Sequence, residues 1–160
     1  MVMLVDAEDA DFAWMLGEAT GPRNGLRLPP GGVDQPAVLN YLRRTAAALR
    51  TGHGVGSWLV AVADEIVGLC GYKHCPTPVG AVEIGYGIIA ARRGQGLATQ
   101  AVAALLKQAA QDGAIRRLTA ETAVDNIASR RVLEKNGFAR AGTRDDPDDG
   151  ALILWGRVVR

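Results

Sequence analysis

The stretch from Glu83 to Val102, EIGYGIIAARRGQGLATQAV, constrains the fold more than any other part of the chain. It starts with the alternation that is typical of a β-strand and ends with apolar residues at helical spacing. Between the two, Arg92 to Gly96 contains two arginines and two glycines in five residues. A strand that leads through bare backbone into a helix predicts a sheet with that helix packed against it.

The remaining hydrophobic pattern predicts the element order β-α-α-β-β-β-α-β-α-β-β. The region from Thr20 to Pro36 is predicted to be a loop, because its prolines and glycines forbid a regular element. Ala63-Asp64-Glu65 separates two apolar runs and is expected to form the turn of a hairpin. Asn136-Gly137 ends the last helix, and two strands follow it. This order predicts a mixed sheet with helices on its faces, in the α+β or α/β class.

The length of 160 residues suits a single domain, 1–160, with a sizeable core. The net charge of +1 argues against a protein that coats a polyanion, so we expect no nucleic-acid partner. No uncharged apolar run approaches the roughly 20 residues of a membrane-spanning helix. The opening MVMLVDAEDADF also lacks the basic segment of a signal peptide. We therefore expect a cytoplasmic protein without a membrane partner.

Cys70, His74 and Cys75 form a small group of metal-ligating residue types. A structural zinc site needs four ligands, and a catalytic site usually needs three. Strand alternation would point Cys70 and His74 to one face and Cys75 to the other. We predict ordinary strand residues here and no metal.

The glycines at positions 94 and 96 permit positive φ angles and a close approach to the backbone. The amides that open the following helix lack intrahelical partners, so together with the helix dipole they favour a phosphate. Arg92 and Arg93 can add positive charge. The Rossmann pattern fails because Thr99 occupies its third glycine position, and no Walker Gly-Lys-Ser/Thr follows. The loop therefore predicts an anion site of another kind.

Arg93-Gly94-Gln95-Gly96-Leu97-Ala98 resembles the R-x-x-G-x-G/A signature of the GNAT superfamily of N-acetyltransferases. The stretch Asn126 to Phe138, NIASRRVLEKNGF, is similar to that family's N-x-x-S-x-x-x-x-E-K-x-G-F helix in the branch of ribosomal-protein N-terminal acetyltransferases. The strand EIGYGI before the loop also resembles that branch. The resemblance implies a mostly antiparallel central sheet flanked by helices, and acetyl-CoA as co-substrate without a metal.

In this family the loop amides hold the pyrophosphate of acetyl-CoA, and the pantetheine arm lies along the end of the preceding strand. The cofactor-binding positions implied by the resemblance are Ile88, Ile89, Ala90, Arg93, Gly94, Gln95, Gly96, Leu97, Ala98, Thr99, Asn126 and Ser129. A backbone N–H of Ile88 or Ile89 is expected to stabilise the oxyanion, and Asn126 can in addition cap its helix.

Glu83 is the candidate general base. By alternation it shares a strand face with Gly85 and Gly87, where the missing side chains leave room for a ligand. Val82, Ile84, Tyr86 and Ile88 are expected to face the core. A carboxylate beside an empty, partly dry groove can take a proton from an amine directly or through water.

The tyrosine that many family members carry as general acid is absent, because this chain has Leu133 at that position. Ser129 matches the serine of the related branch and is the candidate acid or hydrogen-bond donor to the leaving thiolate. It can instead bond back to its own helix. Tyr72 and Tyr86 are alternative donors, although Tyr86 is predicted to face the core.

The acceptor site is poorly specified by the sequence. The resemblance places it against the Thr20–Pro36 loop and the segment TRDDPDDG, whose aspartates either attract a cationic amine or form a solvated turn. Trp14, Trp58 and Trp155 either line the pocket or belong to the core. We predict an acetyltransferase acting on a protein N-terminal amine or a small-molecule amine. A catalytically silent acyl-CoA sensor is the alternative function. The sequence is compatible with a homodimer as well as with a monomer.

Overall fold

The computed structural model describes residues 1–21 and 23–159. The strands are β1 (Val2–Asp6), β2 (Ser57–Val62), β3 (Glu65–Tyr72), β4 (Ala81–Ile88), β5 (Arg117–Ala123), β6 (Ala139–Asp146) and β7 (Gly150–Val158). The helices are α1 (Asp9–Met15), α2 (Pro36–Gly52), α3 (Leu97–Gln111) and α4 (Ile127–Lys135). This order confirms the prediction, and a short 3-10 turn at Ala90–Arg92 is the one addition within the described residues.

The seven strands form one sheet in the order β1-β2-β3-β4-β5-β7-β6. Strands β4 and β5 are parallel, and the other five neighbouring pairs are antiparallel. The parallel pair is possible because α3 crosses over between its two strands. The prediction of a mixed, mostly antiparallel sheet flanked by helices is therefore confirmed.

The parallel ladder between β4 and β5 is short. It pairs Ala81–Glu83 with Arg117–Thr119, and no further pair of these two strands follows in the described residues. Strand β4 continues to Ile88 paired only with β3, and β5 continues to Ala123 paired only with β7. The two strands therefore separate beyond Glu83, and we call the resulting opening the β4–β5 split.

Two apolar cores lie on opposite faces of the sheet. The larger core contains Val82, Ile84 and Ile88 of β4 together with the apolar sides of α3 and α4. The smaller core joins α1 and α2 to the other face of β2 and β3. This confirms that these even-numbered residues of β4 face a core. Glu83, Gly85 and Gly87 consequently point to the face that α1 and α2 cover.

The connections follow the predicted chemistry. Ala63 adopts φ 53° in the turn between β2 and β3, which confirms the hairpin. The predicted loop between α1 and α2 carries one isolated bridge, from Arg27 to Glu65. Pro22, which falls within that loop, lies outside the described residues. Among the helices of residues 1–21 and 23–159, none has the length and apolar character needed to cross a membrane.

Candidate active site

A cavity of about 870 Å³ opens on the sheet face that α1 and α2 cover. Its walls are the inner side of α1, the loop 30–36 and the first turns of α2. Its floor is made of the middle of β3 and β4, where the four glycines are Gly68, Gly71, Gly85 and Gly87. The cavity extends past the end of β4 to Arg93. Its size is that of an ordinary small-molecule site.

The glycines of the cavity floor lack side chains for different reasons. A Cβ at Gly68 would lie 2.1 Å from the carbonyl oxygen of Gly87, and one at Gly71 would lie 2.5 Å from that of Gly56. Both are therefore required by the packing of the sheet. A Cβ at Gly87 would meet nothing within 4 Å. Its missing side chain leaves space in the cavity and serves no packing need.

The loop between β4 and α3 has the backbone that the sequence predicts. Gly94 and Gly96 have φ angles of 76° and 75°, and Gly96 occupies the N-cap position of α3. A Cβ at either position would meet nothing within 4 Å. The first amides of α3 thus follow an open surface without side chains, which is the arrangement that suits a bound phosphate group.

The two arginines of the loop are both engaged. Arg92 lies 2.7 Å from Glu65 through its Nη1 and donates from Nε to the side chain of Gln95. Glu65 is buried and also binds Arg27 at 2.7 Å. Arg92 therefore shares one carboxylate with Arg27, and the prediction that it adds positive charge to the loop stays a prediction. Arg93 donates from Nε to the carbonyl oxygen of Ile88 at 3.1 Å and tethers the loop to the end of β4.

The backbone groups at the end of β4 face different neighbours. Ile89 donates its N–H to the carbonyl oxygen of Val67 on the β3 side, at 2.9 Å. Ile88 is opposite Gly68 in the same antiparallel ladder. Since adjacent residues of a strand point their N–H groups in opposite directions, the Ile88 N–H points into the β4–β5 split. Of the two predicted oxyanion donors, only that of Ile88 is available.

The remaining cofactor-binding positions lie at the start of α3. Leu97 is buried in the larger core, whereas Ala98 and Thr99 are half-buried. The carbonyl oxygen of Thr99 accepts a hydrogen bond from Asn136 at the end of α4, at 3.2 Å. This bond ties the helix that follows the loop to the helix that carries Asn126 and Ser129.

Glu83 lies on the cavity face of β4 but does not line the cavity. Its carboxylate is 2.7 Å from the Nζ of Lys73, and the side chain is 22% exposed. The Lys73 side chain passes over Gly85, whose Cβ would lie 3.3 Å from the lysine Cε. Lys73 is thus the charged group that reaches the cavity from this side. A proton taken by Glu83 would have to arrive through water or through movement of this ion pair.

Ser129 and Tyr86 meet across the β4–β5 split. The Tyr86 Oη lies 3.0 Å from the Ser129 Oγ and 3.3 Å from the Ser129 carbonyl oxygen. Burial raises the pKa of Tyr86, so the phenol keeps its proton at neutral pH. Asn126 accepts a hydrogen bond from the Ser129 N–H at 3.1 Å, which is the helix cap that the sequence suggests.

The other aromatic and hydroxyl candidates are part of the core. Leu133, at the position of the family's tyrosine, is fully buried. Tyr72 packs edge-on against Trp58 with ring centroids 5.2 Å apart, and both are buried. Trp155 is buried and donates to Thr122 at 2.9 Å. Trp14 packs against the smaller core. Trp14 and Trp155 therefore serve mainly to fill the interior, whereas Trp58 and Tyr72 are buried and also line the cavity.

The acidic segment between β6 and β7 is a self-contained turn. Asp146 accepts hydrogen bonds from the backbone N–H groups of Asp148 and Asp149, and these bonds lower its pKa. Arg144 also binds Asp146 at 3.2 Å. The segment is not among the residues that line the cavity. These contacts favour the solvated-turn interpretation.

The cysteine and histidine group does not converge. Cys70 is buried and burial raises the pKa of its thiol, while His74 accepts from the Glu83 N–H at 3.2 Å. Within residues 1–21 and 23–159, no three His, Cys, Asp or Glu side chains lie close enough together to hold a metal.

Sequence reasoning did not find two features of the site. Lys73 lies outside every motif, and only its position directly after β3 and opposite Glu83 could have indicated it. The apolar side chains that α2 turns towards the cavity follow the same helical spacing as core residues, so the sequence gives no sign that a cavity lies beneath them.

Known proteins resemble the chain over most of its length. A family model described as an acetyltransferase (GNAT) domain matches residues 2–139. The ribosomal-protein-serine acetyltransferase of Escherichia coli (strain K12) is 33% identical over 109 residues, which are 64% of this chain and 60% of that protein. The match thus spans less than two thirds of that relative.

Two solved structures share the fold. The ribosomal L7/L12 alpha-N-protein acetyltransferase RimL in complex with coenzyme A has a TM-score of 0.73 at 21% identity, covering 98% of this chain and 93% of that one. The aminoglycoside acetyltransferase AAC(6')-Ib in complex with coenzyme A has a TM-score of 0.71 at 20% identity, covering 99% and 95%.

Proposed function

Because the chain belongs to the GNAT family of acetyltransferases, we propose that it moves an acetyl group from acetyl-CoA to a primary amine by direct attack in a ternary complex. The acceptor is a small-molecule amine or the N-terminal amine of a protein, as the names of its relatives suggest for those proteins. Acetyl-CoA supplies the acetyl group as a reactive thioester.

The observation that carries the proposal is the meeting of two open surfaces at the end of β4. The bare loop at Gly94 and Gly96 offers unpaired helix amides on one side. The cavity over Gly87 offers room for a second molecule on the other side. Ile88 lies between them, and its N–H points into the β4–β5 split. A donor and an acceptor held in these two places would approach each other at this residue.

The described residues fit the phosphate groups of the donor. The loop has no side chain at Gly94 or Gly96 to block a close approach, and α3 begins with amides that have no partner in the helix. The Ile88 N–H would donate to the oxygen that gains charge as the acetyl group is transferred. Arg93, through its bond to the Ile88 carbonyl oxygen, holds the loop and this donor in a fixed relation.

Glu83 is proposed as the general base. An α-amine has a pKa near 8, so much of it is protonated at neutral pH and must lose a proton before it attacks. Since Lys73 stands at the cavity in front of Glu83, we propose that the proton passes through a water molecule. The apolar walls would also disfavour the charged ammonium form of the acceptor.

The test of the proposed function is release of the CoA thiol from acetyl-CoA in the presence of small amines and N-terminal peptides. We expect release that depends on the amine and that yields the N-acetyl product by mass spectrometry. Thermal stabilisation by acetyl-CoA without turnover of any amine would instead support the silent sensor and contradict the enzyme.

Removal of the Ser129 hydroxyl is expected to have a modest effect. The CoA thiol has a pKa near that of cysteine, about 8.5, so its thiolate leaves with little help from an acid. We expect Ser129→Ala to lose about tenfold in kcat, roughly 1.4 kcal/mol, which is the scale of one hydrogen bond to a charged group. The measurement is steady-state turnover at saturating acetyl-CoA with one acceptor.

The control for that substitution is Tyr86→Phe, which removes the partner hydroxyl and keeps the buried ring. Its kcat should fall by no more than that of Ser129→Ala. The fold-loss in kcat of the double variant should be smaller than the product of the two single fold-losses. A loss of several thousandfold in Ser129→Ala, with acetyl-CoA binding intact, would mean that acid catalysis is essential.

A further inference from the structure

We propose that the cavity over β3 and β4 selects a primary monoamine attached to an apolar body of about the size of an arylalkyl group. This inference rests on the proposed acetyl transfer and names the class of acceptor. It excludes polycations such as polyamines and aminoglycosides as the preferred substrates.

The charge of the cavity lining disfavours a polycation. Asp34 is the one acidic residue among the described residues that line the cavity, and it is accompanied by two basic residues, Lys73 and Arg93. The Asp34 Oδ1 already accepts a hydrogen bond from the N–H of Gln35 at 2.7 Å. Several ammonium groups of a polycation would each need a carboxylate partner to leave water. The lining cannot provide these partners.

The walls of the cavity are mainly apolar. Phe12 and Met15 of α1, Leu42 of α2 and Val33 of the loop line the cavity, and all four belong to or pack against the smaller core. Val38 and Tyr41 of α2 also line the cavity, yet they are 39% and 54% exposed. Large apolar side chains left in water at the mouth of a cavity mark a surface that an apolar ligand would cover.

Gly87 leaves open space on the floor of the cavity. A Cβ at this position would meet no atom of the protein within 4 Å, and the residue is not in the left-handed region. Strands favour β-branched residues over glycine, and the surroundings of the Cβ position give no packing reason for a glycine here. The open floor at Gly87 is therefore space that a ligand can use, next to the Ile88 N–H.

The experiment compares kcat/KM for five acceptors at saturating acetyl-CoA. These are 2-phenylethylamine, spermidine, kanamycin, and two short peptides that begin with phenylalanine or with serine. We expect 2-phenylethylamine or the phenylalanine peptide to exceed spermidine and kanamycin by about 100-fold. The ratio of kcat/KM for 2-phenylethylamine to kcat/KM for the phenylalanine peptide tells whether the apolar body belongs to a small molecule or to a peptide N-terminus.

Two substitutions test the cavity itself. Gly87→Val should raise the KM for the apolar amine about tenfold or more, while the thermal shift given by acetyl-CoA stays the same. Gly113→Val is the matched control, since Gly113 also has open space around it but lies beyond α3 and away from the cavity. If Gly87→Val abolishes the acetyl-CoA shift, the floor belongs to the donor site and the inference is overturned.

A negative charge added at the mouth of the cavity should shift the substrate preference towards polycations. Val38→Asp should raise kcat/KM for spermidine relative to 2-phenylethylamine by about tenfold, because it adds a carboxylate at the opening. Ala37→Asp is its control, because this exposed neighbour lies outside the lining and also receives an acid in the first turn of α2.

Three other results of these assays would contradict the inference or the proposed function. Faster turnover of spermidine or kanamycin than of both apolar acceptors would overturn the inference and leave acetyl transfer intact. A tenfold preference for hexanoyl-CoA over acetyl-CoA with a small amine would assign the apolar space to the acyl chain and overturn it too. Failure of every amine to release CoA would contradict the proposed function as well.

Discussion

Gly96→Asp is expected to abolish stabilisation of the protein by acetyl-CoA. The substitution places a carboxylate at the N-cap of α3, where the helix amides are proposed to hold phosphate. At a ligand concentration of 100 times Kd, the unchanged protein should gain about 2.7 kcal/mol, or roughly 5–10 °C in Tm. The variant should show no shift at the same concentration. The measurement is a thermal melt with and without acetyl-CoA.

The fold itself should tolerate this substitution. Aspartate and asparagine adopt left-handed φ angles more readily than other non-glycine residues, and a Cβ at Gly96 meets no atom within 4 Å. Gly96→Asn is therefore the matched control, since it has the same shape without the charge. It should keep a larger part of the shift than Gly96→Asp. Equal shifts for Gly96→Asp and the unchanged protein would contradict the assignment of the loop.

Glu83→Gln is expected to lower kcat by about 10²-fold or more at pH 7 while acetyl-CoA affinity stays nearly constant. The substitution keeps the size of the side chain and removes its capacity to accept a proton. The deficit should shrink as the pH rises past the pKa of the acceptor amine, because the amine then loses its proton unaided. The measurement is a pH profile of kcat for both proteins with one acceptor.

Two further variants separate this role from the ion pair. Lys73→Met breaks the contact with Glu83 but keeps the carboxylate, so it should cost less than Glu83→Gln at pH 7. Glu121→Gln removes a comparable half-buried carboxylate from β5, where the bond to Arg144 lowers the pKa of Glu121 and makes it a poor base. Wild-type rates for Glu83→Gln at pH 7 would return Glu83 to a structural role with Lys73.

Features with a local cause were predictable from the sequence. The element order, the facing of β4 and the positive φ angles at Gly94 and Gly96 depend on periodicity or on the residue type itself. The cap that Asn126 forms with Ser129 links residues three positions apart, so the local sequence also predicts it.

Features that depend on long-range register were not predictable. Arg92 binds Glu65, which is 27 residues away along the chain, and only the paired sheet brings them together. The alternation of β4 correctly placed the Tyr86 ring towards the core, but it could not indicate that the hydroxyl would reach Ser129, 43 residues later. The predicted catalytic roles of Glu83 and Ser129 stay predictions.

The short parallel ladder between β4 and β5 has a consequence for how such a protein can diversify. Every described residue that lines the cavity lies between Ala7 and Arg93, whereas the helices α3 and α4 come later in the chain. The proposed acceptor walls therefore occupy one contiguous segment of the gene, joined to the second half of the sheet through three residue pairs. Recombination or a mutant library confined to that segment can retarget the amine and inherit α3 and α4 unchanged.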